Sequence, residues 1–187
     1  MMVRWRRLDV PGHERCVLSA LVVGGWHLGG LAEFTRDGEA IRLEYDVECD
    51  AGWETRRARV WGQVGAADVA LTVVRTEQRT WFVNGARDVA LDDCVDIDLG
   101  FSPSTNLIPI RRLALALEAR AEVRAAWVRG LDLRVAMLDQ SYTRTGPATY
   151  LYESGGGRFV RELTVDANGF VVDYPGFWQA ESIEPDA

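Results

Sequence analysis

The chain of 187 residues contains no lysine and only two histidines, so its cationic chemistry rests on arginine. An arginine side chain stays charged and binds oxygen atoms through a planar fork, so any half-buried cation here is permanent. His13 precedes Glu14 and offers an acid–base pair, but no Gly-x-Ser-x-Gly nucleophile motif accompanies it. We therefore predict no catalytic residue and interpret His13 and His27 as ordinary, partly buried histidines.

Cysteine is also scarce, and its pattern excludes two kinds of site. Cys16, Cys49 and Cys94 are odd in number and widely spaced, and no Cys-x-x-Cys occurs. This excludes a disulfide framework and argues against a zinc site. Each cysteine lies in a strand-like run, which predicts buried, reduced thiols. The acidic run 92–98 lacks the spacing and glycine of an EF-hand loop, so we predict neither a metal nor a cofactor.

No apolar run approaches the roughly 18 residues that a membrane-spanning helix needs. The apolar stretch 17–25 is not followed by a signal-peptide cleavage pattern, so we expect a cytoplasmic protein. A net charge of −7 disfavours nucleic acid as a partner. No feature of the sequence fixes the oligomeric state.

The sequence does contain many runs in which apolar and polar residues alternate, which is a period of two residues. In residues 41–49, Ile, Leu, Tyr, Val and Cys alternate with Arg, Glu, Asp and Glu, which predicts a strand with one dry and one wet face. Similar runs recur along the chain. Asp37-Gly38 and Asn84-Gly85 are typical of two-residue hairpins, so consecutive strands are predicted to be antiparallel neighbours. We interpret Gly29-Gly30 as a bulge or a sharp bend.

One helix is predicted, starting near Thr105. Ser104 or Thr105 is placed to cap it, the side chain of Asn106 is placed to bond its free amides, and Pro109 fits its first turn. A meander of about ten strands is too long for a flat sheet and should curl into a half-barrel, which the apolar helix would plug or cover. We expect a single domain over residues 1–187, with 181–187 as a frayed tail.

Three motifs carry a resemblance to a known family. They are Trp-Arg-Arg-Leu-Asp at 5–9, Asp-Leu-Gly-Phe-Ser-Pro-Ser-Thr-Asn-Leu-Ile-Pro-Ile-Arg-Arg-Leu at 98–113 and Tyr-Pro-Gly-Phe-Trp at 174–178, with shorter matches at 125–127 and 140–142. With them the chain resembles a bacterial family of glycolipid-binding proteins. The resemblance implies a fold similar to Lol-type lipoprotein carriers and mycobacterial lipoglycan carriers. In that fold an incomplete antiparallel barrel surrounds an apolar cavity that a helix partly closes.

Candidate ligand-binding residues combine arginine forks with aromatic rings and one amide. Period two places Trp53, Thr55, Arg57, Arg59 and Trp61 on one strand face, as a wall for a sugar or head group. Alternatively that face is an exposed one with Trp packed on Arg stems. One of the two helical arginines is expected to pair with Asp96 or Asp98, or to meet an anionic head group. The full candidate set is Arg57, Arg59, Trp61, Asn106, Arg111, Arg112, Tyr142, Tyr174 and Trp178.

Three functions remain open from the sequence. The first is a non-enzymatic binder that holds a lipid or glycolipid in an apolar half-barrel cavity. The second is an enzyme that uses the same cavity on a lipid-like or sugar-like substrate, which a cavity carboxyl group with a strongly shifted pKa would favour. The third is a β-rich interaction protein whose cavity is filled by its own side chains.

Overall fold

The computed structural model describes residues 1–185 and is mainly β, with fifteen strands in one sheet. The first eight strands are β1 (Met2–Arg7), β2 (Gly12–Ala20), β3 (Trp26–Arg36), β4 (Glu39–Cys49), β5 (Thr55–Val64), β6 (Ala67–Arg75), β7 (Trp81–Val83) and β8 (Ala86–Arg87). The others are β9 (Asp96–Leu99), β10 (Arg120–Arg129), β11 (Arg134–Arg144), β12 (Thr149–Ser154), β13 (Phe159–Val165), β14 (Val171–Tyr174) and β15 (Trp178–Glu184). The predicted fold class is confirmed.

The two ends of the chain meet in the middle of the sheet. β1 pairs with β2 on one side and with β15 on the other, both antiparallel. The other consecutive strands also pair antiparallel, with two exceptions: β9 pairs with β10 in parallel, and β8 and β9 do not pair with each other because they form the two edges of the sheet. The curved sheet therefore does not close into a barrel. The edge strand β9 lies beside β5: the amide of Thr55, the first residue of β5, donates to the carbonyl oxygen of Val95, just before β9, at 3.3 Å.

The sheet has more strands than the period-two pattern predicted. The additional strands include β1 and β15, at the two ends of the chain. Residues 181–184 belong to β15 and not to a frayed tail, since Ser182 pairs with Arg4 and Ile183 with Val3. Residues 186–187 of the expected tail lie outside the described residues.

The paired glycines Gly29-Gly30 lie inside β3. The prediction of a bulge or bend at Gly29-Gly30 is wrong: the register of β3 is regular there with both β2 and β4. Gly30 pairs with Tyr45, and the Tyr45 ring lies across the place where a Gly30 side chain would stand. The bare glycine lets Tyr45 reach over β3 toward β2, where its hydroxyl donates to Glu14 Oε1 at 2.7 Å.

The single predicted helix is confirmed, with different contacts at its start. A 3₁₀ turn at Ser104–Asn106 runs into α1 (Leu107–Leu113), which ends at Ala114 in the left-handed region. Neither Ser104 nor Thr105 caps α1: the Ser104 amide donates to Ser102 Oγ, and Thr105 Oγ1 accepts from the Leu99 amide. Asn106 makes no capping bond either. These side chains fasten the turn to the sheet instead.

The concave side of the sheet is filled by one hydrophobic core. Trp5, Tyr45 and Trp81 are among its largest fully buried side chains, and the first four residues of α1 are buried with them. The indoles keep partners in the core, since Trp5 Nε1 donates to Val171 O at 2.6 Å and Trp81 Nε1 donates to Cys94 O at 3.0 Å. Side chains thus occupy most of the concavity in which the sequence analysis expected an apolar cavity.

The three cysteines are free thiols in this core. Burial raises the pKa of each thiol to about 12, so all three are protonated at neutral pH. A protonated, buried thiol is a weak nucleophile and a weak metal ligand. We therefore assign these cysteines to packing.

We predict that Gly30→Ala destabilises the protein by about 2 kcal/mol, because the new methyl group displaces the Tyr45 ring from a packed core. Urea unfolding followed by fluorescence measures the loss. Gly52→Ala is the matched control, since its added methyl group meets only Asp50 Oδ1 at 3.4 Å. Equal stability of Gly30→Ala and the unmodified protein would contradict this packing argument.

Candidate functional site

A pocket of about 200 Å³ opens at the end of the sheet where β1 ends and β15 begins. Its apolar walls come from β10, β11, β13 and the turn that leads into β15. These wall residues are Trp127, Leu138, Phe159, Phe177 and Trp178. Polar side chains on the same pocket include Arg7, Asp98, Ser102, Asn106 and Tyr152. The pocket therefore combines flat rings with hydrogen-bonding groups in a small volume.

The Tyr-Pro-Gly-Phe-Trp motif builds the aromatic wall. It forms the turn between β14 and β15, in which Tyr174 pairs with Trp178 and Gly176 has a φ of 81° that favours glycine. The turn brings three rings together: Tyr174 lies 5.4 Å from Trp178, and Phe177 lies 5.7 Å from Trp178. The indole N–H of Trp178 is buried and has no hydrogen-bond partner within the described chain.

A buried arginine forms one side of the pocket. β1 turns Val3, Trp5 and Arg7 inward, so its last inward position carries a charge. The Arg7 guanidinium lies over the rings of Phe34 and Trp178, at 4.1 and 4.9 Å from their centres. Its Nε and Nη2 donate to the two oxygens of Asp9 at 3.0 and 2.9 Å. The ion pair and the rings hold this cation rigidly.

A hydrogen-bonded network lies beneath the opposite wall. Gln140 Nε2 donates to Asp98 Oδ2 at 2.5 Å and to the Tyr152 hydroxyl at 2.9 Å. The Tyr142 hydroxyl donates to Asn106 Oδ1 at 2.9 Å, which joins β11 to the turn before α1. The pKa of Asp98 rises from 3.8 to about 6, mainly because the group is buried; the Gln140 hydrogen bond opposes this rise and the neighbouring Asp96 adds to it. Asp98 therefore titrates near neutral pH.

A second buried carboxyl group lies behind Ser102. Glu14 Oε1 accepts hydrogen bonds from the Tyr45 and Ser102 hydroxyls, and Ser102 Oγ lies 2.7 Å from Ser104 Oγ. Burial raises the pKa of Glu14 from 4.5 to about 7, against the lowering effect of these bonds and of Arg7. Its other oxygen, Oε2, is buried without a partner in the described chain. Of this cluster only Ser102 lines the pocket, and the Glu14 carboxyl group lies behind it.

The two arginines of α1, Arg111 and Arg112, lie in its last turn, away from the pocket. Arg112 donates through Nε and Nη2 to the two oxygens of Asp96, at 2.9 and 2.6 Å, which is the structural ion pair that the sequence analysis expected. Burial raises the pKa of Asp96, and Arg112 opposes that rise. Arg111 lies over the Trp53 ring at 5.4 Å. Neither arginine lines the aromatic pocket.

Arg57, Arg59 and Trp61 lie on the outer face of the sheet. The register of β4 and β5 shifts at Arg56, so Thr55 pairs with Cys49 and faces the core while Arg57 faces outward. The predicted common face with Trp53 and Thr55 is therefore wrong. Arg57 pairs with Glu48, and Arg59 pairs with Asp46 at 2.7 Å and lies 5.7 Å from the centre of the Trp61 ring.

Of the candidate residues, the structure brings Asn106, Tyr174 and Trp178 together on the pocket, with Tyr142 bonded directly behind Asn106. Sequence reasoning missed Arg7, Trp127 and Phe177. The sequence does carry one signal for Arg7: in the alternation of β1 this arginine follows Val3 and Trp5 on the inward face, where an apolar residue would be expected. Trp127 lines the pocket because Gly100 beneath it has no side chain: a Gly100 Cβ would lie 2.5 Å from Trp127 Nε1.

A larger recess of about 780 Å³ lies along β10 to β12. Its charges satisfy one another: Arg124 pairs with Asp93 at 2.8 Å and Asp139 at 3.1 Å, and Arg120 pairs with Glu153 at 2.9 Å. Because this recess is broad and its cations are paired, the smaller aromatic pocket is the better candidate for a specific ligand. Within residues 1–185, no three His, Cys, Asp or Glu side chains are grouped to hold a metal ion.

The comparisons with known proteins agree with this architecture. Residues 2–180 match the model of a family described as "Putative glycolipid-binding". The chain belongs to this family. A crystal structure of a DUF1089 family protein from Pseudomonas aeruginosa is similar over 89% of this chain and 91% of its own, at 34% identity and a TM-score of 0.76. No curated protein matches the chain.

A second solved structure extends the likeness of fold. A β-barrel-like protein of domain of unknown function DUF1849 from Brucella abortus is similar over 95% of this chain and 91% of its own. Its identity is 8% and its TM-score is 0.50, so it supports the fold alone. In residues 1–185, every helix is too short or too polar to cross a membrane.

We predict that Arg112→Ala lowers the free energy of unfolding by about 3 kcal/mol, because it leaves the buried Asp96 carboxylate without its ion-pair partner. Thermal melting followed by circular dichroism measures the effect. Arg57→Ala is the control, since it breaks an exposed ion pair that contributes about 1 kcal/mol at most. A melting temperature of Arg112→Ala equal to that of Arg57→Ala would show that the Asp96 pair does not anchor the helix.

The pKa of Glu14 predicts a pH dependence of stability. A carboxyl group whose pKa rises from 4.5 unfolded to about 7 folded favours the protonated native state, so stability falls as pH rises between these values and then levels off. Glu14→Gln keeps a neutral group of the same shape and should flatten this slope. Urea unfolding at pH 5 and pH 8 compares the two proteins, with the exposed Glu33→Gln as control. Parallel slopes in Glu14→Gln and the unmodified protein would contradict the assignment.

Proposed function

We propose that this protein binds a glycolipid, without turning it over, by holding the polar head group in the aromatic pocket. The observation that carries the proposal is the aromatic wall of Tyr174, Phe177 and Trp178 facing the polar side chains of Arg7 and Asp98. Rings stack on the apolar faces of a sugar, while charged and amide groups bond its hydroxyls. The family description supports the same class of ligand.

The size of the pocket limits which part of a glycolipid enters it. Its volume of about 200 Å³ is below the roughly 300–1,000 Å³ of sites that enclose a drug-sized ligand. We therefore assign the pocket to one sugar ring or a head group of similar size. The acyl tail lies outside, against apolar side chains at the mouth such as Leu8, whose amide donates to Phe177 O at 2.8 Å.

The unpartnered indole N–H of Trp178 adds to this proposal. A buried donor without an acceptor loses about 1–3 kcal/mol of stability, and an oxygen atom on a ligand would restore the missing bond. Trp178 also packs on Arg7, so the ring is already held in place before a ligand arrives. Such a prepared donor favours binding because little side-chain ordering remains to be done.

An enzymatic function is the second candidate, and Asp98 favours it. Asp98 is a pocket carboxyl group whose pKa of about 6 suits a general acid near neutral pH. The substrate would be the same head group. Incubation with a glycolipid followed by chromatography distinguishes the two functions: release of sugar by the unmodified protein, lost in Asp98→Asn, would replace the binding proposal with a glycosidase.

We predict that the protein binds a glucosyl diacylglycerol more tightly than either free glucose or the diacylglycerol alone. Burying the tail contributes about 25 cal/mol per Å² of apolar surface, and the pocket contributes contacts with the sugar. Phe177→Ala should weaken glycolipid binding by about 30-fold, the effect of removing an aromatic anchor. Isothermal titration calorimetry with detergent-dispersed lipid measures both comparisons.

The control for this experiment is Trp61→Ala, which removes an aromatic ring from the outer face and should leave affinity unchanged. Absence of binding to every lipid would reject the proposal and favour an interaction protein with a filled cavity. Equal weakening by Phe177→Ala and Trp61→Ala would reject the aromatic pocket as the site.

A further inference from the structure

Arg161 is an inward-facing arginine without an acidic partner. β13 turns Phe159, Arg161 and Leu163 to the inner face, and Leu163 is fully buried there. Arg161 pairs across the sheet with Tyr152, which lines the aromatic pocket. Within the described chain its hydrogen bonds go to two backbone carbonyls and to no carboxylate. Arg161 is half-buried against aromatic rings, and no carboxylate of the described chain neutralises its charge.

The Arg161 guanidinium is held in a fixed orientation beside the pocket. It lies over the rings of Phe159 and Phe177, at 4.8 and 5.4 Å from their centres, and both rings line the pocket. Nε donates to Pro175 O at 3.2 Å and Nη1 donates to Val160 O at 2.7 Å. Nη2 makes no hydrogen bond within residues 1–185. One edge of the planar fork therefore remains free for a ligand.

The other charges of the pocket leave an excess of positive charge. Arg7 and Arg36 share one carboxylate, with Asp9 Oδ2 at 2.9 Å from Arg7 Nη2 and 3.1 Å from Arg36 Nη2. With Asp98 counted as ionised and Glu14 as protonated, Arg7, Arg36 and the adjacent Arg161 outnumber the carboxylates of Asp9 and Asp98 by one. This local excess of positive charge contrasts with the net charge of −7 of the whole chain.

We propose that the head group bound in this pocket carries an anion, as a carboxylate, phosphate or sulfate, and that Arg161 binds it. The inference rests on the proposed function, because it names the ligand class of the same pocket. A guanidinium fork with a free edge matches the oxygens of each of these groups and binds them more strongly than it binds a hydroxyl. A neutral glycolipid would leave Arg161 without a counter-ion.

The test compares glucuronosyl diacylglycerol with glucosyl diacylglycerol of the same acyl chains, two lipids that differ by a carboxylate in place of a hydroxymethyl group. We expect the unmodified protein to bind the glucuronosyl lipid about tenfold more tightly, since one charge-assisted hydrogen bond accounts for such a factor. Arg161→Gln should abolish the preference, and Arg161→Lys should restore part of it. The preference should also shrink as salt concentration rises.

Arg15→Gln is the matched control, because it removes the same charge from an exposed position on the outer face. Retention of the preference in Arg161→Gln, or its loss in Arg15→Gln, would overturn the role of Arg161. Equal affinity for the two lipids would overturn the anion inference and leave the proposed function intact, whereas binding of neither lipid would overturn both. Inorganic phosphate is the last arm: weaker binding than that of the glucuronosyl lipid, lost in Arg161→Gln, supports an anion site that a lipid head group fills, whereas phosphate binding as tight as that of the lipid would overturn a glycolipid as the source of the anion.

Discussion

Two hydrogen bonds from one short connection link the two halves of the open sheet across its concave side. Between β9 and α1, Ser102 bonds Glu14 in the first half of the sheet, and Asn106 bonds Tyr142 in the second half. The edge strands β8 and β9 do not pair with each other, so no ladder of backbone bonds closes the curve. The connection therefore acts as an internal tie across the concave side, and α1 packs in the core behind it.

The tie also explains why titratable groups are buried beside the pocket. Glu14 and Asp98 both lie where the connection meets the sheet, and burial raises the pKa of each carboxyl group toward neutrality. Burying such groups is unfavourable unless hydrogen bonds compensate, and here Tyr45, Ser102 and Gln140 supply them. The pocket wall is therefore polar and rigid on one side, while the Tyr174–Trp178 turn keeps the other side aromatic.

Patterns between neighbouring residues predicted the features that neighbouring residues determine, namely most of the strands and the helix. Alternation located most strands, and the apolar run after Thr105 located the helix, because side-chain direction follows directly from strand and helix geometry. The pairing of β1 with β15 joins opposite ends of the chain and leaves no local signal. A register shift at Arg56 turned Arg57 to the outer face, since a single extra residue reverses every later side chain. Asn106, a candidate from the sequence, lies on the pocket, but its hydrogen bond with Tyr142 depends on β11, 36 residues away.

The central claim is that a glycolipid head group occupies the aromatic pocket. The indole N–H signals of the seven tryptophans report on this directly in a two-dimensional ¹H–¹⁵N NMR spectrum. On titration with glucosyl or glucuronosyl diacylglycerol, the signals of Trp127 and Trp178 should shift, with the larger change at Trp178 because its free N–H gains an acceptor. Trp61 on the outer face should not shift. A change at Trp61 with none at Trp127 and Trp178 would contradict the account.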